Sequence, residues 1–201
     1  MRDLALACSG LLSDRVGGPS ARPPQPPGIS DLTYAGSARW VESTGPDRFR
    51  RGMYTWFQRT SPYPMLMTFD APDSNVCVVQ RERSNSPLQA LTMLNDVVFV
   101  ECAQALARDL VSHEQGSREE RLRALYKRCL GRAPSPDEIK VLTRLYDHFR
   151  EQARAHPEAA TKIVGTSAGM GAPTTRDVAE TAAWVGLARA VMNLDEFMTR
   201  E

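Results

Sequence analysis

The residues with the most chemical potential lie between Arg48 and Gln89. Arg48, Arg50, Arg51 and Arg59 crowd one short stretch with Tyr54 and Trp56, and Asp70 follows. Arg81, Arg83, Asn85 and Gln89 then come after the apolar run Val76-Cys77-Val78-Val79. Guanidinium, amide and aromatic groups in this mixture can clamp a carboxylate, a sulfate or a sugar by bidentate hydrogen bonds and stacking. The same groups can serve a structural end, because a long irregular segment must satisfy its backbone N–H and C=O groups. On that reading Arg59, Arg81, Arg83, Asn85 and Gln89 gather around Asp70 as a polar lock. It predicts that Val76, Val78 and Val79 are buried beneath the lock.

A catalytic alternative uses Asp70 with Glu101 as paired carboxylates acting on a polysaccharide, which requires the two carboxyls about 5–9.5 Å apart across a cleft. Other chemistries have no support in the spacing. There is no Gly-x-Ser-x-Gly, and His113, His148 and His156 stand without ligand-spaced companions. Asp195 and Glu196 are adjacent and point to different faces. The glycines between Gly165 and Pro173 lack the preceding strand and following lysine of a phosphate loop. Cys8, Cys77, Cys102 and Cys129 form neither a Cys-x-x-Cys pair nor a haem attachment site. The expectation is therefore a chain with no metal and no cofactor, in which Cys102 and Cys129 are buried thiols on apolar helix faces.

Twenty-five basic residues against 24 acidic ones leave a net charge of +1, so no global field favours nucleic acid or an anionic membrane surface. No run approaches the length of about 20 apolar residues that spans a bilayer. The opening Met1-Arg2-Asp3-Leu4-Ala5-Leu6-Ala7-Cys8 has too short an apolar run for an export signal. Leu4, Ala7, Cys8, Leu11 and Leu12 instead fall at helical spacing.

The elements that must position these groups read as mainly α. Ser86-Pro87-Leu88-Gln89, Ser117-Arg118-Glu119-Glu120 and Ser135-Pro136-Asp137-Glu138 are capping boxes. Each opens an apolar stripe with a 3.6-residue period, and Asn95-Asp96 is placed to split the first stripe in two. Short loops imply antiparallel neighbours packed as a bundle. Further helices are predicted over 157–164 and about 176–192, and another over 48–59. A small ribbon near 38–43 is the only β structure expected. Gly17 to Gly28, rich in proline, reads as an extended strap and rigid connector. The whole is predicted to be one domain, with an irregular segment carrying short helices over 1–85 and a helical bundle over 86–201.

Ordered phrases along the chain carry a family resemblance. They include Arg2-Asp3, Ser9-Gly10-Leu11-Leu12, Gly17-Gly18-Pro19-Ser20, Thr68-Phe69-Asp70-Ala71-Pro72, Arg81-Glu82-Arg83, Ser86-Pro87-Leu88-Gln89-Ala90-Leu91, Leu94-Asn95-Asp96 and Asn193-Leu194-Asp195-Glu196. Together they resemble the planctomycete-specific C-terminal domain of unknown function found downstream of cytochrome c modules in large exported proteins. The resemblance implies an exported parent in the periplasm or cell envelope, of which this chain is the C-terminal part. The arginine and aromatic cluster itself points to a non-catalytic binding or scaffolding module that docks an upstream domain, an envelope partner or a glycan through Tyr54, Trp56, Arg59, Asp70, Arg81, Arg83, Asn85 and Gln89, and the resemblance adds no established activity to that reading. It carries over no catalytic residue.

Overall fold

The computed structural model describes residues 1–26, 28–29, 39–72, 74–80, 84–113, 116–165 and 178–199. Among them the chain forms nine α-helices and no strand. They are α1 (Arg2–Cys8), α2 (Pro64–Thr68), α3 (Pro87–Asn95), α4 (Val97–His113), α5 (Arg118–Leu130), α6 (Pro136–Ala155), α7 (Pro157–Val164), α8 (Val178–Met192) and α9 (Asp195–Met198).

All three capping boxes form, with Ser86, Ser117 and Ser135 accepting from the N–H of Gln89, Glu120 and Glu138. Each partner side chain reciprocates at the serine N–H. Asp96 separates α3 from α4 because its backbone is extended while its carboxylate accepts from the Val98 N–H at 2.9 Å. One residue thus ends the first helix and caps the start of the next. α5 stops at Gly131, which adopts a left-handed φ of 76° and donates its N–H to the Lys127 carbonyl at 2.9 Å.

The core is organised around α8, which is apolar on nearly every side, as befits a helix surrounded by others. Trp184 is fully buried and tilts against Tyr146 of α6 at 5.0 Å between ring centres. α4 adds Val98, Phe99, Cys102, Leu106 and Leu110, and α5 adds Leu122, Leu125 and Cys129. Cys102 and Cys129 are buried free thiols. Leu4, Leu11 and Leu12 are half-buried against the same core.

Three local expectations change. Residues 48–59 do not make one helix. Two 3₁₀ turns, Gly45–Phe49 and Gly52–Tyr54, flank extended backbone at Arg50 and Arg51. Isolated parallel bridges from Ser13 to Arg50 and from Ala21 to Thr55 hold that backbone against the strap. Residues 39–43 are irregular, and Ala38 lies outside the described residues. Val76, Val78 and Val79 are exposed, not buried, with Val79 fully open to solvent. Asp70 and Ser74 adopt left-handed φ of 58° and 62°, so the backbone breaks direction twice shortly before this apolar run.

Candidate functional site

Arginine side chains fasten the N-terminal strap to the bundle. From α1, Arg2 donates to the carbonyls of Arg50 at 2.6 Å and Arg48 at 2.9 Å. Arg50 is itself 1% exposed. It donates to the carbonyls of Pro19 at 2.7 Å and of Gly17, and lies 3.8 Å over the Tyr54 ring. A third arginine, Arg48, meets α4 by donating to both carboxylate oxygens of Glu101, at 2.6 and 3.3 Å, with a further bond to Glu42. Asp3 accepts from the Gly52 N–H at 2.8 and 2.9 Å.

The aromatic residues serve the same strap. Tyr54 accepts from the Gly17 N–H at 3.0 Å while its ring takes the Arg50 cation. Trp56 receives the Arg22 guanidinium at 4.5 Å and packs on Trp40, which stacks on Tyr63. Trp40 and Tyr63 in turn donate to the carbonyls of Pro23 and Pro24. A polyproline-like segment has no internal hydrogen bonds, and here its carbonyls are taken by arginine, indole and phenol donors.

A second polar knot closes around Asp70. Its carboxylate accepts from the Ser84 N–H at 2.8 Å and the Ser84 hydroxyl at 2.9 Å. Gln89, 4% exposed, donates to Asp70 at 3.2 Å, to the Ser84 hydroxyl at 2.9 Å and to the Thr68 carbonyl at 2.9 Å. The structure therefore brings Gln89 to Asp70. Arg59 goes elsewhere, donating to Asn75 at 3.4 Å in an exposed setting, and Asn85 donates to Asp195. Arg81 and Arg83 lie outside the described residues.

Glu101 is 7% exposed, with the Arg48 guanidinium across its carboxylate. Among the described residues no group of three or more His, Cys, Asp or Glu side chains could hold a metal ion. No single described helix is long and apolar enough to cross a membrane.

Sequence reasoning missed Arg2 and Ser84 as organising residues, and it named Arg48 and Arg50 in the arginine cluster without the partners that they hold. A signal was available for Arg50: the strap rich in proline and glycine offers unpaired carbonyls, at Gly17 and Pro19 among others, that call for donors.

These features define an all-α domain whose irregular N-terminal third is strapped to a helical bundle by buried arginines. The chain belongs to the family described as PSD1, protein of unknown function (DUF1553), which matches residues 1–146. No curated protein and no solved structure matches it.

Proposed function

We propose that the chain is a non-catalytic docking module of a larger envelope protein, and that its partner is an upstream domain of the same parent. The resemblance to planctomycete C-terminal domains supports a parent exported to the cell envelope with a cytochrome c module upstream. The observation that carries the reading is the aliphatic loop at Val76, Val78 and Val79, exposed at 69%, 52% and 109%, on a base pinned by the Asp70, Ser84 and Gln89 knot. Exposed apolar side chains on a fixed base suit association, because little ordering entropy is lost on docking. The engagement of Glu101 by Arg48 supports the same reading over a polysaccharide-acting enzyme, since a general acid or nucleophile must reach its substrate.

Titration calorimetry of this chain against the separately produced upstream module of a full-length family member tests the proposal. Saturable binding that weakens about tenfold or more in Val79→Asp is the expected result. Absence of binding to the module, together with turnover in a screen of neutral and sulfated glycans, overturns it.

A further inference from the structure

A cleft of about 460 Å³ lies where α6, α7 and α8 converge. Its origin is compositional. α7 and α8 meet through a small separate cluster in which Ala153, Ala160 and Ala182 are the buried contacts alongside Val164. Nearby, Gly186 lets the Phe149 ring approach so closely that a Cβ there would stand 2.9 Å from the ring. Helices held this close by methyl groups and a glycine leave volume beside the contact that no side chain fills, and the cleft falls within the range of about 300–1,000 Å³ usual for small-molecule sites.

Its walls are mainly alanine, with Leu94, Phe149 and Ile163 as the larger apolar side chains, and Arg189 is the one charged residue among them. Arg189 is half-buried and gives one guanidinium nitrogen to the Leu94 carbonyl at the end of α3. Its Nε is sealed from solvent and has no hydrogen-bond partner. No carboxylate among the described residues pairs with it. This half-buried guanidinium carries an unneutralised charge at the wall of the cleft, and its planar terminal N–H groups are matched to a carboxylate. Gln152 and His156 supply further polar lining.

We infer that this cleft binds an amphiphilic carboxylate, with the apolar body against the alanines of α7 and α8 and the head group on Arg189. This inference is independent of the docking role, which uses the opposite end of α3 and the loop before it.

Titration calorimetry of the whole chain with sodium octanoate, below its micelle-forming concentration, tests the inference beside octan-1-ol as the neutral match. The expected result is saturable octanoate binding at least about tenfold tighter than octanol binding, a preference that Arg189→Gln abolishes. Ala159, exposed on α7 and lining the cleft, offers a variant that touches no core contact. Ala159→Phe fills the space and is expected to weaken octanoate at least tenfold while the melting temperature holds. Absence of binding at millimolar octanoate, equal affinity for octanol, or parental affinity in Ala159→Phe would each overturn the inference. Should Arg189→Gln fail to fold through loss of the Leu94 bond, the octanol comparison and Ala159→Phe still decide.

Discussion

The side-chain amide of Gln89 is divided between two tasks. Its Oε1 accepts from the Ser86 N–H at 3.1 Å and completes the capping box of α3, while its Nε2 donates to Asp70 at 3.2 Å. The start of a helix and the closure of the preceding loop therefore depend on one residue, and on its having both a donor and an acceptor.

The other two capping boxes use Glu120 and Glu138 in the equivalent place, so capping alone does not call for glutamine. Gln89→Glu keeps the cap yet sets a carboxylate against Asp70 and against the Thr68 carbonyl. We predict a loss of about 1–3 kcal/mol by urea denaturation, larger than that of Asp70→Ala, because Asp70 is only half-buried. An Asp70→Ala loss of the size expected for a buried ion pair, with Gln89→Glu near neutral, would refute this ordering.

Arg48 and Glu101 join the strap region to α4 with side-chain exposures of 11% and 9%. Removing one member of such a pair leaves the other charge without its counter-ion. Glu101→Ala is expected to cost about 3 kcal/mol. The Arg48→Met, Glu101→Gln double variant should recover much of the loss seen in Arg48→Met alone. Strictly additive losses in that double-mutant cycle would show that the pair is not coupled.

Arg132 bridges α6 and α9, donating to Glu138 at 2.7 and 3.0 Å and to Glu196 at 2.7 Å. The Arg132 guanidinium, followed by the Tyr126 hydroxyl, holds the Glu138 carboxyl far below its ordinary 4.5, and Arg132 lowers Glu196 as well. A folded-state value below the unfolded one means that the stabilisation is complete above the unfolded pKa and is lost as pH falls toward the folded one. The melting temperature of the parent should therefore fall more steeply than that of Glu138→Gln between about pH 5 and pH 2. Parallel curves would contradict the assignment. Tyr126, pushed up to about 12 by burial and then by Glu138, stays a donor throughout this range.

α7 ends at Gly165, with φ 61° and ψ 170°, where Gln104 donates to the Ile163 carbonyl and Arg108 to those of Val164 and Gly165. A Cβ at Gly165 would stand 2.6 Å from Gln104 Nε2. Gly165→Ala should cost about 1–3 kcal/mol from backbone strain and loosen this cap as well. Gly131→Ala, with open space around it, should cost less. Equal losses in thermal melts would mean that the Gln104 contact contributes nothing.

Much of the fold was legible because its signals are local. Capping serines, the proline-started helices and the 3.6-residue stripes of α5, α6 and α7 need only neighbouring residues to be read. The loop at Val76 was misread because a short apolar run looks the same whether it is buried or exposed. Tyr54 and Trp56 were recognisable as cation partners, but their cations, Arg50 and Arg22, belong to an internal fastening. The partner of Arg48 lies 53 positions away, and no sequence spacing announces a contact of that range.

The placement of α8 bears on where this chain can be cut. The family match stops at residue 146, within α6, whereas Trp184, Leu187 and Val191 of α8 fill the centre of the bundle. A protein truncated at that boundary would present the inner faces of α4 and what remains of α6 to water. In this chain the packed core extends past the matched stretch, and a piece ending at residue 146 is expected to aggregate on expression.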